Sequence, residues 1–550
     1  MQIEKIDKLR EKLMEVYVLF YLCIFPMAMH DKYFDILKFR FRLFWIPTLI
    51  FTLVFMIIGL YRLNLVKKSH WAELLKSASE SDHKESAHAV AAKTTWQKIK
   101  GKFTEYRAQG KITNTDIWFT LLFLEMGVST LLAPYKYEAI WGNRGRYQGF
   151  LLWALFYAAY LMVTRFYQYK ERHIYLILFF SLAPCVLGII QFFTYDPFDF
   201  FSHTDAKYRY IYASTIGNIN TYSAYTAMMM ALSTVLFTIS KNKKLEITAG
   251  ILMLIHMFAH VMSISDNTIL STAALFVALP FLAWKKDSTF IKSICSSLIF
   301  LLAMIVTGGI YQTGMMTMNQ YGESILIAIG CMPIAKLAFA VLFLLVILFM
   351  IIKKKKGKLM DEKGYANIRK IWMALLIIGF VTVIGIFIYA NAPSNVEKIQ
   401  SLPYQYQKVL ILNDQWGTGR IFVWRLAFQY YFGDSTIIQK IFGNGLDTFY
   451  ILMMDRYKKE MIAHPYGIYD NAHNEYIEYL MTIGIIGLIF YLGLIITALK
   501  AGFHKKNKVC VACTTAALLY IVQAAVNIPV PIVTPIFILL FSIGNSLRLS

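Results

Sequence analysis

Charged residues are scarce in this chain. They make up 16% of its 550 residues, whereas hydrophobic residues make up 57%. An ordinary soluble domain has about 25% charged residues, so the composition excludes that class of protein. Many apolar stretches reach or approach the roughly 20 residues that a helix needs to cross a bilayer. The composition therefore predicts a polytopic membrane protein, either an enzyme or a transporter.

Acidic residues are the scarcer of the two charge signs, with 33 Asp and Glu against 55 Lys and Arg, and the net charge is +22. An excess of this size could indicate a nucleic-acid partner. The basic residues, however, occur in short runs between apolar segments, as at 353–356. Cytoplasmic loops of membrane proteins show this distribution. We therefore expect no nucleic-acid partner.

Cysteine is also rare, and its six positions form no disulfide framework or zinc pattern. Cys510 and Cys513 have CxxC spacing, but they open a predicted membrane helix in which small buried residues are ordinary. His260 and Asp266 lie close in sequence, yet no second pair of ligands shares helical spacing with them. The sequence therefore predicts neither a bound metal nor a cofactor.

The apolar runs predict an all-α fold with about fourteen transmembrane helices. The basic segment 5–12 precedes an apolar run without a small-residue cleavage site, so we expect a retained first helix rather than a removed signal peptide. The predicted helices cover residues 14–29, 42–61, 115–134, 148–164, 174–193, 217–239, 245–264, 267–284, 289–309, 326–352, 370–390, 475–498, 509–527 and 529–546.

Basic loops predict the topology of these helices. With a cytoplasmic N-terminus, the inside loops are basic at 165–172, 241–244, 285–292, 353–356 and 505–508. Residues 30–41 break the pattern, because they carry Lys32, Lys38 and Arg40 on the predicted outer side. Either this first hairpin is tilted and re-entrant or the first helix is misplaced. The remaining alternation predicts that both termini are cytoplasmic and that residues 391–474 lie outside.

This topology divides the chain into five regions. They are an N-terminal membrane hairpin at 1–64, a cytoplasmic insertion at 65–113, a helix bundle at 114–390, an extracytoplasmic loop at 391–474 and C-terminal membrane helices at 475–550. In the insertion, Trp96, Ile99, Phe103 and Tyr106 recur at helical spacing among lysines. This pattern predicts a basic amphipathic helix on an anionic leaflet, and a partner-docking helix is the alternative.

The loop at 391–474 contains the residue types that can carry out chemistry. If Thr418 caps a helix over 418–432, Arg420 and Trp424 share one face. Arg425 is then turned by about 140° from Arg420, so the two arginines do not bind one anion from this helix alone. Two histidines, His464 and His473, lie in the same loop, and their types alone do not rank them.

Two other predicted outer segments carry arginine. Arg144 and Arg146 lie among aromatic residues and glycines at 133–149, and Arg209 ends a charged loop. Guanidinium groups beside aromatic faces suit phosphate and sugar, although a plain interfacial anchor is the alternative. The polar helix start at 214–223, which includes Asn218 and Asn220, is expected to face a cavity or another helix.

In their order and predicted topology, these segments resemble the O-antigen ligase and polymerase family of bacterial envelope glycosyltransferases. The matching signatures are Gly-Arg-x-x-x-Trp at 419–424, Gly-x-Gly at 443–445, His-Asn-x-Tyr at 473–476 and Gly-x-x-Gly at 484–487. The strong resemblance covers about 415–495, and the rest of the chain agrees in layout.

The resemblance implies a membrane glycosyltransferase of the GT-C type in the bacterial cytoplasmic membrane. It would transfer or polymerise a glycan from an undecaprenyl-diphosphate-linked donor onto an acceptor sugar hydroxyl on the outer face, without metal or nucleotide. His473 is then the base and Arg420 stabilises the diphosphate. The predicted substrate-binding residues are Arg144, Arg146, Arg209, Trp424, Asn474 and Tyr476. The partners are that donor, a glycan or glycolipid acceptor, membrane lipids and, as a further class, polysaccharide-assembly proteins.

One segment departs from the family pattern. Many ligases carry a Ser-Arg pair where this chain has Ser265-Asp266-Asn267, and Arg144, Arg146 or Arg209 could replace the missing arginine. The departure favours a polymerase slightly over a ligase. A lipid-linked glycan flippase or other transporter is the alternative from another class. It would line its cavity with charges buried along several helices, whereas here the ionisable groups gather in the predicted outer loops.

Overall fold

The structure, a computed structural model, describes residues 2–80, 95–143, 145–314, 324–402, 407 and 409–549. Within these residues the regular secondary structure is helical apart from one antiparallel pair of two-residue strands, in which Tyr212 lies opposite Asn218. The predicted all-α fold is therefore confirmed.

The helices and strands have the following bounds. The α-helices are Gln2–Leu19, Ile36–Glu80, Thr95–Ala108, Asn114–Leu132, Lys136–Trp141, Phe150–Phe166, Glu171–Phe180, Leu182–Phe192, Ile219–Ile239, Lys243–Val261, Thr268–Ala283, Asp287–Gln312, Ile325–Cys331, Pro333–Lys356, Glu362–Asn391, Val396–Gln400, Trp416–Gln429, Ile437–Phe442, Phe449–Ala463, Glu475–Thr482, Gly484–Phe503, Lys508–Gln523 and Thr534–Gly544. Short 3₁₀ segments are Phe25–Met27, Ala206–Ile211 and Ala524–Val526, π segments are Phe20–Ile24 and Tyr430–Asp434, and the strands are Tyr212–Ala213 and Gly217–Asn218.

Ten helical spans in the described ranges are long and apolar enough to cross a membrane. They are Ile36–Lys67, Asn114–Leu132, Glu171–Phe192, Ile219–Ile239, Lys243–Val261, Asp287–Gln312, Pro333–Lys356, Glu362–Asn391, Gly484–Phe503 and Lys508–Val526. Three shorter apolar helices are Phe150–Phe166, Thr268–Ala283 and Thr534–Gly544. Each of the fourteen predicted stretches overlaps a helix, but the count of fourteen is not confirmed.

Several predicted helices are divided, and two of these divisions occur at a proline or a glycine. The stretch 326–352 divides at Met332 because Pro333, which has no N–H to donate, begins a new helix. The stretch 475–498 divides at Gly484, which has a φ of 65°. A Cβ on Gly484 would lie 2.3 Å from the carbonyl oxygen of Ile441, so glycine permits both the close approach and the left-handed backbone.

Residues 30–41 do not form a free loop, and the predicted first helix at 14–29 overlaps the end of a helical segment that runs from Gln2 to Met27. The first helix begins at Gln2, and the second already begins at Ile36. The guanidinium of Arg40 is fully buried and donates to the carbonyls of Pro26 at 3.0 Å and Thr215 at 2.8 Å. Part of the unexpected positive charge is therefore internal to the bundle.

The insertion contains the predicted helix, at Thr95–Ala108. Phe103 and Tyr106 are exposed on it. The side chains of Trp96 and Ile99 lie outside the described residues, as does most of the low-complexity stretch between the two halves. Its docking to a leaflet stays a prediction.

The basic loops meet at one end of the bundle. Lys292 pairs with Glu246 at 2.8 Å across two helices, and Lys508 donates to Ser240 at 3.2 Å. The loops that contain Arg146 and His473 belong to the opposite helix ends. There, residues between 416 and 481 form a helical cap with a hydrophobic core of its own, centred on Val423, Phe449 and Met453. The cap and the adjoining loops enclose the candidate site.

Candidate functional site

A cavity of about 540 Å³ lies at the cap end of the bundle. Segments that are far apart in sequence contribute its walls. The lining residues used below are Lys38, Arg146, Asn220, Asp470, His473 and Asn527. The polar helix start at 218–221 faces this cavity, in agreement with the prediction for that segment.

A tight turn presents His473 to the cavity. His473 has a φ of 50°, and its backbone N–H donates to the side chain of Asn471 at 3.0 Å. On the preceding residue, Ala472, the N–H donates to Glu478 at 3.0 Å and the carbonyl accepts from the indole of Trp424 at 2.9 Å. These contacts hold both sides of the peptide before His473, so the turn is fixed by the cap rather than by local propensity.

Arg146 forms a two-point ion pair with Asp470 in the cavity wall. Its Nε and Nη2 donate to the two carboxylate oxygens at 2.8 and 2.9 Å. The pair joins the loop after Trp141 to the turn of His473. A bidentate arginine–carboxylate pair fixes the orientation of both groups as well as their distance.

Asp447 anchors the loop that carries Arg146. Its carboxylate accepts from the backbone N–H groups of Asn143 at 2.7 Å and Gln148 at 2.9 Å. The same loop requires glycine, because a Cβ on Gly149 would lie 2.3 Å from the backbone nitrogen of Gly142. Burial raises the pKa of Asp447 to about 7, although the two N–H donors oppose the rise.

The charges around His473 keep its imidazole neutral. Burial, followed by the positive charges of Arg420 and Arg146, lowers the pKa of His473 to about 3, and the charge of Asp470 opposes this change. Burial works to raise the pKa of Asp470, but Arg146 overcomes it and the pKa lies below its usual value. Within the described residues, the imidazole of His473 makes no side-chain hydrogen bond. A neutral ring with an available nitrogen can accept a proton.

Three consecutive left-handed residues precede Arg420. Gly417, Thr418 and Gly419 have φ values of 59°, 58° and 87°. The hydroxyl of Tyr469 lies against this segment and donates to the carbonyl of Thr418 at 2.8 Å. A Cβ on Gly419 would lie 1.7 Å from that hydroxyl, which explains glycine before Arg420. The prediction that Thr418 is the N-cap is wrong, because its hydroxyl donates to Gly417 instead of accepting a helical N–H.

Arg420 lies beside the cavity wall rather than in it. Its guanidinium donates to the carbonyls of Gly417 at 2.6 Å and Val526 at 3.2 Å, and to the amide oxygen of Asn267 at 3.5 Å. Val526 precedes Asn527, a lining residue. Burial lowers the pKa of Arg420, with Asp266 opposing. Arginine has more N–H donors than these contacts use.

The segment that departs from the family pattern adjoins Arg420. Besides the contact of Asn267, Ser265 donates to the lining residue Asn220 at 2.7 Å. Asp266 accepts from the backbone of Ile325 at 2.9 Å. The arginine expected here from the resemblance would therefore have been a neighbour of Arg420.

The other predicted binding residues have different positions. Arg146 lines the cavity, whereas Arg144 lies outside the described residues. Arg209 is exposed, donates to the carbonyl of Thr204 at 3.3 Å and is not among the lining residues. Trp424 supports Ala472, as described above. Asn474 caps the helix Glu475–Thr482, and Tyr476 donates to the carbonyl of Ile521 at 2.7 Å.

The structure ranks the two histidines by position. The ring of His464 stacks on Phe422 with the centroids 4.0 Å apart, and its Nε2 lies 3.2 Å from the carbonyl oxygen of Asp414. It belongs to the cap. His473 is the histidine that lines the cavity.

Of the six lining residues named above, three were not predicted from the sequence: Lys38, Asp470 and Asn527. Lys38 had a signal, since it is one of the cations that break the charge alternation at 30–41. Asp470 precedes His473 by one turn, which is a weak signal. Nothing in the sequence distinguishes Asn527, because its position depends on how the last two apolar segments fold back.

The fold and the site define a polytopic, all-α membrane protein with a polar Arg–Asp–His site at one end of its helices. Residues 324–492 match the O-antigen ligase family (Wzy_C), and the match contains both Arg420 and His473. This match supports an O-antigen ligase/polymerase-type membrane enzyme, as the signatures indicated. No curated protein matches the chain.

Proposed function

We propose that the enzyme transfers or polymerises a glycan from an undecaprenyl-diphosphate-linked donor onto an acceptor sugar hydroxyl. The reaction would take place on the outer face of the bacterial cytoplasmic membrane, with both termini in the cytoplasm. The observation that carries this proposal is the shared cavity of neutral His473 and Arg146, with Arg420 close enough to affect the charge state of the imidazole.

In the proposed step, the imidazole of His473 accepts the proton of the acceptor hydroxyl. The acceptor oxygen attacks the anomeric carbon of the donor sugar and forms the new glycosidic bond. The bond from that carbon to the diphosphate oxygen breaks, and its electron pair leaves with the lipid diphosphate. Arg420 and Arg146 stabilise the negative charge that develops there.

The depressed pKa of His473 fits a site that becomes active when an anion binds. Burial, followed by the charges of Arg420 and Arg146, lowers this pKa. A diphosphate near both arginines would offset their positive potential and raise the pKa, so the imidazole would become a stronger base when the donor is present. Binding of the donor would thus make His473 a stronger base before the acceptor hydroxyl reacts.

Arg146 is our choice for the second phosphate-binding arginine. Arg420 is retained from the Gly-Arg signature, whereas the position of the missing Ser-Arg arginine is occupied by Asp266 and its neighbours. Of the three replacements considered, Arg146 lines the cavity and Arg209 does not. Asp470 would then hold Arg146 in place until a diphosphate competes for its N–H donors.

The test is a transfer assay with purified protein in lipid vesicles and a lipid-diphosphate-linked glycan. We expect released lipid diphosphate and a longer or transferred glycan, also after treatment with a chelator. Extension of the same lipid-linked glycan would identify a polymerase, and transfer to a separate glycolipid would identify a ligase. Movement of the lipid across the vesicle without bond cleavage would instead support a flippase and refute the proposal.

A further inference from the structure

Three cavities meet at the first turns of the helix that begins at Ile36. The site cavity shares Lys38 with a second cavity of about 440 Å³ and a third of about 430 Å³. Arg42, one helical turn after Lys38, lines both the second and the third. The two smaller cavities therefore adjoin the site cavity around Lys38, and the walls of the site cavity also contain Arg146 and His473.

Neither of these cations is neutralised by the part of the protein that the structure describes. Lys38 and Arg42 are exposed and form no ion pair or side-chain hydrogen bond with a described residue. Asp35, one turn before Lys38, lines two of the same cavities, and its carboxylate contacts the imidazole of His30 at 3.0 Å rather than either cation. An ammonium and a guanidinium group one turn apart supply the donors that phosphate oxygens accept.

Aromatic rings form the wall of the third cavity. Phe41 stacks on Tyr147 with the ring centroids 4.8 Å apart, and Trp45 meets Trp141 edge to face at 6.2 Å. Tyr137 completes this wall. Tryptophan and tyrosine collect where a membrane protein meets the headgroup layer, so these cavities are expected at the depth of lipid phosphates.

An exposed apolar stripe continues from Arg42 along the same helix. Its members follow one another by three or four residues, and each is between 42% and 66% exposed: Ile46, Ile50, Leu53, Ile57 and Leu60. The stripe lies within the membrane span Ile36–Lys67, of which little is buried. Ile46 also lines the second cavity, so the stripe begins where the two cations end.

We propose that this helix is the docking track of a polyprenyl diphosphate lipid. Lys38 and Arg42 hold the diphosphate, the prenyl chain lies along the stripe from Ile46 to Leu60, and Lys38 passes the diphosphate into the site cavity. The inference rests on the proposed function, because that function requires such a lipid. Charge complementarity explains the cations, and the prenyl chain of such a lipid would continue onto the stripe that begins next to Arg42.

The experiment places a photoreactive benzophenone amino acid at Ile50 and exposes the full-length protein, in vesicles, to a radiolabelled polyprenyl diphosphate. We expect a covalent lipid adduct. The same amino acid at Ile378, an exposed apolar residue of the span Glu362–Asn391, serves as the control for general contact with lipid. Equal labelling at Ile50 and Ile378 would overturn the proposal.

The double variant Lys38→Gln/Arg42→Gln tests the headgroup contact. Labelling at Ile50 should fall at least about tenfold, since hydrogen bonds to two charged groups are lost. The control is Lys241→Gln/Lys244→Gln, which removes the same charge from the opposite end of the bundle and should label as the parent does. Size-exclusion profiles confirm that both variants are folded, and undiminished labelling in a folded Lys38/Arg42 variant would refute the track.

Competition identifies the source of the phosphate chemistry. Unlabelled polyprenyl diphosphate should block labelling at lower concentration than either inorganic diphosphate or the free polyprenol. Equal competition by inorganic diphosphate would refute a lipid occupant. Labelling could follow these expectations although the protein never cleaves a lipid-diphosphate glycan. That result would refute the proposed function and support the docking track. If glycan transfer occurs and the Lys38/Arg42 variant keeps the parent's KM for the donor, the docking track is refuted and the proposed function is retained.

Discussion

Two described arginine–aspartate pairs at the cap end each accompany a histidine, one pair in the cavity wall and one on the outside of the cap. Arg146 and Asp470 pair in the cavity wall, next to His473. Arg425 and Asp414 pair with nearly the same geometry, at 2.7 and 3.2 Å, but both side chains are about half exposed. His464 accompanies this outer pair.

The comparison shows that residue types and their pairing do not define the site. Solvent reaches the outer pair and screens its charges. The inner pair is less exposed, with the side chain of Arg146 at 19% and that of Asp470 at 39%. It lies beside His473, whose pKa is lowered by burial and then by the charges of Arg420 and Arg146, while Asp470 opposes the change. Burial and a common cavity turn the same residues into a charge-coupled site.

The largest difference is expected between the two histidines. His473→Ala should reduce glycan transfer by about 100-fold or more, because it removes the proposed general base. His464→Ala loses a ring stack on Phe422, so its effect should be lower stability of the cap with the transfer rate per folded molecule retained. Transfer assays normalised to folded protein measure both, and near-normal transfer by His473→Ala would remove this residue from the mechanism.

The two arginines of the cap helix provide the next contrast. Arg420→Ala should lower the transfer rate by roughly 100-fold, the usual effect of deleting one donor that stabilises developing negative charge. Arg425→Ala should change the rate by less than about threefold, since it breaks a solvent-exposed pair. Comparable losses in the two variants, both still present in the membrane, would contradict the assignment of Arg420.

Asp470→Asn and Asp414→Asn compare the two pairs directly. Asp470→Asn leaves Arg146 without its partner carboxylate in the cavity wall and should lower the free energy of unfolding by about 1–3 kcal/mol. Asp414→Asn should cost less than about 1 kcal/mol, because exposed pairs contribute little. Thermal denaturation in detergent compares them, and an equal or larger loss in Asp414→Asn would reverse the proposed ranking.

The smallest expected effect is that of acid on the free enzyme. A histidine whose pKa is lowered to about 3 stays neutral as the pH falls through 6.5, where an ordinary histidine becomes charged. Transfer measured as kcat/KM should therefore show no loss from His473 protonation between pH 7 and pH 5. Asp470→Asn removes a charge that opposes the shift, so the pKa of His473 should fall further. A loss of kcat/KM with a midpoint near 6.5 that disappears in His473→Gln would be inconsistent with a buried, arginine-flanked base.

The apolar runs predicted much of the helical layout, but they did not predict every break within the helices. Pro333 is a visible signal for the division of one stretch. The break at Gly484 depends on the close approach of Ile441, which belongs to another helix. The same limit applies to Thr418, whose left-handed backbone is imposed by Tyr469 from across the cap.

For the site, the motifs identified Arg420 and His473, but their surroundings required the folded chain. Arg146 was one of three arginines that could replace the missing one, and only its pair with Asp470, 324 residues later, distinguishes it. Lys38 was visible as an exception to the charge rule, and in the structure it lines the site cavity and the two cavities beside it. The roles of all these residues stay predictions until the variants above are assayed.

The sequence by itself determined that this is an all-α membrane protein, and it located the segment that belongs to the O-antigen ligase/polymerase family. Transfer of an apolar helix into a bilayer depends on the composition of that one segment, so it can be read locally. Tertiary structure alone decided which polar groups share a cavity and that His473 is held neutral there. Electrostatic interactions depend on distance and burial, and packing between remote segments sets both.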